Sequence, residues 1–225
     1  LLNTSLVWFR RDLRLADHPA LAAALAGGGR IVALYIHAPD EEAPWAPGGA
    51  SHWWLHHSLA ALDAALRARG GELIIARGPS LSALLATARA TGATAVHWNR
   101  TYEPALIERD TQIKAALREA GLEASSHAGN LLLEPWTVRN AAGEPFRVFT
   151  PFWRTVSARL GEVGAPLPAP ARIPGPARLP PSVALDALGL LPRIRWDSAF
   201  AAHWTPGEAA AHARLQTFLA DDATD

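Results

Sequence analysis

At 225 residues the chain is long enough to bury a full core and still supply a linker or part of a second domain. Its 21 Lys and Arg balance its 21 Asp and Glu, which excludes a global field drawing it to nucleic acid or to an anionic membrane and leaves room only for a local basic patch. The absence of cysteine excludes a disulfide framework and thiol chemistry, no apolar run reaches the length of a membrane span, and the first residues lack the charged and apolar regions of a signal peptide, so a soluble cytoplasmic protein is expected.

Residues 5–9 are apolar or β-prone and predict a buried strand. Arg10, Arg11 and Asp12 follow at once, and a helix is predicted over residues 17–25 with Asp17 as its N-cap. A strand, a charged turn and a helix make the first half of a βαβ unit. In such sheets the first strand is usually central, and ligands gather at its carboxyl end where strand order reverses. Two guanidinium groups and a carboxylate therefore stand at the mouth of the expected crevice, although a solvated turn would carry the same charges. Gly27, Gly28 and Gly29 precede a second apolar strand over residues 30–36, so they are a helix stop rather than a phosphate-cradling loop. A loop rich in Pro, Gly and acidic side chains leads to a long helix capped by Ser51. Its Leu55, Leu59, Leu62 and Leu66 form one stripe, and Gly70 and Gly71 stop it. Residues 72–76 predict a third strand, residues 80–90 a short helix and residues 94–98 a fourth strand. Pro104 suits the first position of a helix that turns Leu106, Ile113 and Leu117 inward and ends at Gly121. A fifth, weaker strand is predicted over residues 123–127. Strands alternating with helices of this length predict an α/β fold with a parallel, doubly wound sheet.

The character then changes. Residues 130–147 are loop-like, with a small hairpin possible around residues 140–143. Thr150 and Pro151 make an N-cap and first-turn pair for a helix running to Leu160. Residues 161–181 hold seven of the 18 prolines, a composition that predicts an extended linker laid on a surface rather than a packed core. Thr205, Pro206 and Glu208 form a capping box for a helix carrying Leu215, Phe218 and Leu219 on one side. That side has no partner in the sequence, so a second domain beginning here is expected, and exposed apolar surface would favour self-association.

Several chemistries are excluded by pattern. His52 and His56 stand four apart on the long helix with His57 beside them, but no glutamate of the zincin pattern and no third ligand accompany them. No G-x-G-x-x-G follows the first strand, no G-x-x-x-x-G-K occurs, and no serine sits in a nucleophile elbow. Trp45, Trp53 and Trp54 flank the loop after the second strand and can wall a flat aromatic ligand, or simply pack.

The stretch LVWFRRDLRLADHPAL resembles the N-terminal signature of the DNA photolyase and cryptochrome family. The resemblance continues in order through PGGASHWWLHHSLAALDAAL, WNRTYEP with ERD just after it, FRVFTPFWR, and LGLLPRIRWDSAFAAHWTPGEAAAHARLQTFL. It implies a Rossmann-like α/β domain with a five-stranded parallel sheet over residues 1–160, the linker over residues 161–181, and the start of a helical FAD-binding domain over residues 182–225. It further implies a deoxyribodipyrimidine photolyase, in which light-excited FAD repairs cyclobutane pyrimidine dimers flipped out of UV-damaged DNA. A cryptochrome-type blue-light photoreceptor and a (6-4) photolyase remain as alternatives. The resemblance assigns FAD and DNA contacts to residues beyond these 225, so this part alone is expected to be inactive and the full-length protein monomeric.

The α/β unit of the family holds an antenna chromophore. The resemblance, set beside the strand ends, points to Arg10, Arg11 and Asp12 after the first strand and His37 and Trp45 after the second. Asn99, Thr101 and Glu103 join them after the fourth strand. Arg groups can stack on a flat ring or pair with an anionic tail, and Glu103 can orient ring N–H groups; alternatively these charges pair with each other. Family members that bind folate use an Asn-Glu pair early in the helix after the fourth strand, and a histidine in the loop after the second. Ala105, Leu106 and Trp45 stand at those places here, which makes folate less expected and leaves a deazaflavin, a second flavin or an empty site.

Overall fold

The computed structural model describes residues 3–42 and 46–221. Five apolar segments, Thr4–Phe9 (β1), Arg30–His37 (β2), Leu73–Arg77 (β3), Ala95–Asn99 (β4) and Glu123–His127 (β5), pair in one all-parallel sheet. Its order is β3-β2-β1-β4-β5. Helices Pro19–Ala26 (α1), Gly49–Arg67 (α2), Ser80–Thr91 (α3) and Pro104–Glu119 (α4) make the crossovers. The chain winds outward from β1 to β3, then returns across β1 to β4, so strand order reverses between β1 and β4 as the doubly wound pattern requires. Both faces of the sheet are covered, which is why its central strands are continuous apolar runs instead of alternating ones. Val7, Phe9, Ala33, Tyr35 and Ile75 pack under α1 and α2, while Leu6, Trp8, Leu34, Val96 and Trp98 pack under α3 and α4.

Helix starts depart from expectation by a residue or two, each for a local reason. His18, not Asp17, caps α1: its Nδ1 accepts the Leu21 N–H at 3.0 Å. Asp17 instead lies in the left-handed region at φ 48°, which short polar side chains tolerate. Its backbone N–H donates to the Leu167 carbonyl at 2.7 Å and its carboxylate accepts the Leu167 N–H at 3.2 Å. Helix α2 begins at Gly49 with Gly48 before it, which leaves Ser51 inside the first turn. Residues 140–144 form a turn around the Asn140 side chain, without strands. Phe149–Ala158 (α5) opens one residue ahead of Thr150 and leaves Phe149 and Trp153 exposed and stacked on one another.

The proline-rich segment is extended, but it does more than lie on a surface. Ile173 is completely buried among the residues under α1 and α2, and its N–H donates to the Arg69 carbonyl at 2.8 Å. The Pro174 carbonyl accepts the Ile31 N–H at 2.7 Å, on the stretch of β2 that begins before β3 can pair with it. Further on, Ser182 Oγ accepts the Ile75 N–H at 3.0 Å and the Val183 N–H donates to the Ile75 carbonyl at 2.8 Å, closing the outer edge of β3. Two C-terminal helices follow, Phe200–His203 (α6) and Glu208–Asp221 (α7), and α7 packs on α2. That approach needs Gly207: at φ 114° a Cβ here would lie 2.8 Å from the Ala61 methyl. No described helix is long and apolar enough to cross a membrane.

Candidate functional site

The charged turn after β1 folds back on itself. Asp12 is buried, and its Oδ1 accepts the Arg10 backbone N–H at 2.9 Å while Oδ2 accepts the Asn99 side-chain amide at 2.7 Å. His18 Nε2 stands 3.1 Å from Oδ2. Because His18 Nδ1 accepts the Leu21 N–H, the ring proton sits on Nε2, beside the carboxylate but not aligned with it as a hydrogen bond. Burial alone would raise the Asp12 carboxyl; the contact with His18, the Arg10 N–H and the Asn99 amide outweigh it and hold the group at about 2. Asn99 Oδ1 in turn accepts the Ala20 N–H in the first turn of α1 at 3.0 Å. Asp12 and Asn99 therefore tie the ends of β1 and β4 to the start of α1.

Arg10 leaves this knot on the other side. It pairs with Asp110 at 2.6 Å, donates to the Asn99 carbonyl, and lies 4.7 Å from the centre of the Trp8 ring. Arg109 lies 5.2 Å from the same ring and pairs with Asp110 at 2.9 Å and Glu41 at 3.4 Å. Glu41 also accepts the Ser80 N–H and hydroxyl, each at 2.6 Å, capping α3 from the loop after β2. Arg11 is half-exposed and pairs with Glu103 and, at 3.5 Å, with Glu42.

Beside this network lies a cleft of about 600 Å³, within the range of small-molecule sites. Trp8, Tyr35 and Ile36 reach it from the strands, and Thr101, Leu106 and Arg109 from the turn after β4 and from α4. Helix α2 contributes Ser51, Trp54, Leu55 and Ser58; helix α7 contributes Glu208, Ala211, His212 and Leu215. Each set follows the i, i+3, i+4, i+7 spacing of one helical face. Burial, with Glu42 nearby, holds the Tyr35 phenol well above its ordinary range, so it is a neutral hydrogen-bonding group throughout the physiological range. Trp8 Nε1 and Thr101 Oγ1 are buried and have no hydrogen-bond partner among the described residues.

Of the residues expected at the site, Arg10, Arg11, Asp12 and Thr101 line the cleft. Asn99 lies behind it as a structural tie. Glu103 lines a shallower depression with Tyr102 and Asn130, which adjoins the cleft at Arg11 and Thr101. His37 ends β2 outside the lining, and Trp45 falls outside the described residues. Of the two remaining tryptophans, Trp54 lines the cleft while Trp53 is buried against His57 and Phe200. The faces on α2 and α7 and the role of Arg109 were missed in the sequence. Their signal was present: 51, 54, 55, 58 and 208, 211, 212, 215 are helical stripes, and Arg109 is one turn from Leu106.

Residues 5–171 match the family model for DNA photolyase. The chain is 41% identical over 215 residues to a deoxyribodipyrimidine photo-lyase of Agrobacterium fabrum, covering 95% of this chain and 44% of that protein. It is 42% identical over 170 residues to Cryptochrome-1 of Arabidopsis thaliana, covering 75% and 25%. The crystal structure of a bacterial class III photolyase from Agrobacterium tumefaciens superimposes with a TM-score of 0.91 at 40% identity, over 97% of this chain and 45% of that one. The chain thus spans under half the length of these relatives. The photolyases of this family act on DNA and bind FAD and antenna chromophores. With its 3-2-1-4-5 sheet, the chain belongs to the DNA photolyase and cryptochrome family and corresponds to that family's N-terminal α/β domain.

Proposed function

We propose that this chain is the antenna-binding part of a deoxyribodipyrimidine photolyase, a light-driven, FAD-dependent enzyme that repairs cyclobutane pyrimidine dimers, and that the cleft holds the antenna. The single observation carrying this reading is the cleft's position and lining. It opens where strand order reverses, it is walled by Trp54, Tyr35 and alkyl side chains, and two of its lining residues, Trp8 and Thr101, carry buried polar atoms with no partner among the described residues. A flat ring with a few polar atoms fits such a lining.

A bound antenna supplies light absorption and passes its excitation on through space by dipole coupling, which needs a fixed orientation and no contact with the acceptor. The chain's own residues provide that orientation. Trp54 offers a ring face, the Tyr35 phenol a neutral donor, and Thr101 an unused hydroxyl. Arg10 and Arg109, locked to Asp110, hold the Trp8 ring in place. Helix α7 covers one side and excludes water. Leu106 presents alkyl surface and neither amide nor carboxylate, which favours a deazaflavin or flavin over folate.

In this reading residues 1–160 are the antenna unit, residues 161–181 the linker, and residues 182–225 the start of the helical domain that binds FAD and UV-damaged DNA in a monomeric full-length protein. The exposed Trp196, Trp204, Leu215 and Phe218 are consistent with a further body packing there. The near-equal identity to a plant cryptochrome supports a second reading, a blue-light photoreceptor that keeps the flavin and does not repair.

The test of the site is titration of the purified chain with riboflavin, followed by flavin fluorescence anisotropy. Binding that weakens at least tenfold in Trp54→Ala supports the cleft as a ring site, and absence of binding refutes it. Dimer splitting under blue light by the full-length protein separates repair from signalling, and this chain alone is expected to split none.

A further inference from the structure

Resting on the cleft as a pigment site, we infer that it selects an uncharged ring system and rejects ligands with a phosphate or other anionic tail, because the chain's own Glu208 carboxylate fills the anion position of the first βα turn.

In open α/β sheets that turn and the helix start behind it are the natural phosphate site, through free backbone N–H groups and the helix dipole. Here four such donors are taken by the chain's own side chains. Glu208, arriving from α7, accepts the Leu15 N–H at 2.8 Å and the Ala16 N–H at 2.7 Å, one on each carboxylate oxygen. At the start of α1, Asn99 takes the Ala20 N–H and His18 takes the Leu21 N–H.

The guanidinium groups are equally committed. Arg10 and Arg109 share Asp110, Arg11 is bound by Glu103 and Glu42, and Arg14 turns Nε and one terminal nitrogen to the carbonyls of Ala16, Asp17 and Gly129. Three carboxylates, those of Asp12, Glu42 and Glu208, line the cleft with these four guanidinium groups, which are already engaged by Asp110, Glu103 and Glu42 or by backbone carbonyls. A phosphate entering here must displace Glu208 or break one of these pairs, whereas an uncharged ring meets aromatic and alkyl walls with neutral hydroxyl groups from Tyr35, Ser51 and Ser58.

The test compares riboflavin with FMN, which carry the same ring and differ in a terminal phosphate, by fluorescence anisotropy on the purified chain. Riboflavin is expected to bind at least tenfold tighter. In Glu208→Gln, which keeps the side-chain shape and removes the anion, the riboflavin preference is expected to shrink at least fivefold. Glu103→Gln, which removes the closer of the two carboxylates paired with the half-exposed Arg11 at the rim, is expected to shift it the same way and serves as the second variant should α7 undock in the first. FMN binding as tightly as riboflavin to the unmodified chain overturns this inference and leaves the ring site standing. Riboflavin preference unchanged in both variants also overturns it, assigning the selection to shape. Binding of neither flavin removes the ring site and this inference together.

Discussion

Replacing Asp12 by asparagine keeps the side-chain shape and removes its charge and one acceptor. The carboxyl is held at about 2, against 3.8 where nothing perturbs it. That difference is worth about 2 kcal/mol. Its sign follows from the downward direction: the contribution is complete above about pH 4 and is lost as pH falls through about 2. The asparagine also turns an N–H₂ towards either the Asn99 amide or His18 Nε2, both of which are donors. A buried hydrogen bond left unmade in this way costs about 1–3 kcal/mol. Asp12→Asn is therefore expected to lose about 3–5 kcal/mol at pH 7. Urea unfolding followed by tryptophan fluorescence should show a lower midpoint with unchanged slope, and the gap to the parent should narrow between about pH 4 and pH 2. Riboflavin affinity of the folded variant should change less than about threefold, since the carboxylate is spent on structure. Stability within about 1 kcal/mol of the parent, with riboflavin binding abolished, would refute the assignment and make Asp12 a ligand contact.

Ile173→Ala removes about three carbons from a fully buried site and is expected to cost about 3 kcal/mol, while Leu167→Ala on the same segment, 40% exposed, stays within about 0.5 kcal/mol; urea midpoints of the two variants check this. Glu208→Ala should release α7 from the turn after β1, read as lost amide hydrogen-exchange protection at Leu15 and Ala16 and faster proteolysis within residues 207–221. Burial, together with His97, Arg100 and Lys114, pushes His127 down from 6.5 to about 4, so the stabilising preference for its neutral form is complete above about pH 6.5 and fades as pH falls towards 4. For this half-exposed ring the effect is about 1 kcal/mol after solvent screening, and His127→Gln should flatten the stability profile across that window.

The sheet was legible because it is written in local signals. Continuous apolar runs, Gly stops after Leu66 and Glu119, and Pro104 at a helix start each act within a few residues, and all five strands lie within two residues of where they were expected. The site was legible only in part. The strand-end charges at positions 10–12 could be located, but whether Arg10 meets a ligand or Asp110 depends on a contact across a hundred residues. Glu208 shows the same limit more sharply: within the sequence it completes a capping box with Thr205, yet its carboxylate goes to Leu15 and Ala16 instead. The proline count predicts a segment laid on the surface between residues 161 and 181, and composition averages over the single isoleucine that anchors it in the core.

The strip at residues 182 and 183 has a consequence for how the molecule behaves in company. By occupying both backbone groups of Ile75, it denies a neighbouring molecule the ladder on which intermolecular strand addition starts. A protease nick just upstream, between Pro180 and Ser182, would loosen that shield and turn β3 into a template for cross-chain growth. The stretch that carries the chain away from the sheet thus also shields its outer β3 edge at Ile75.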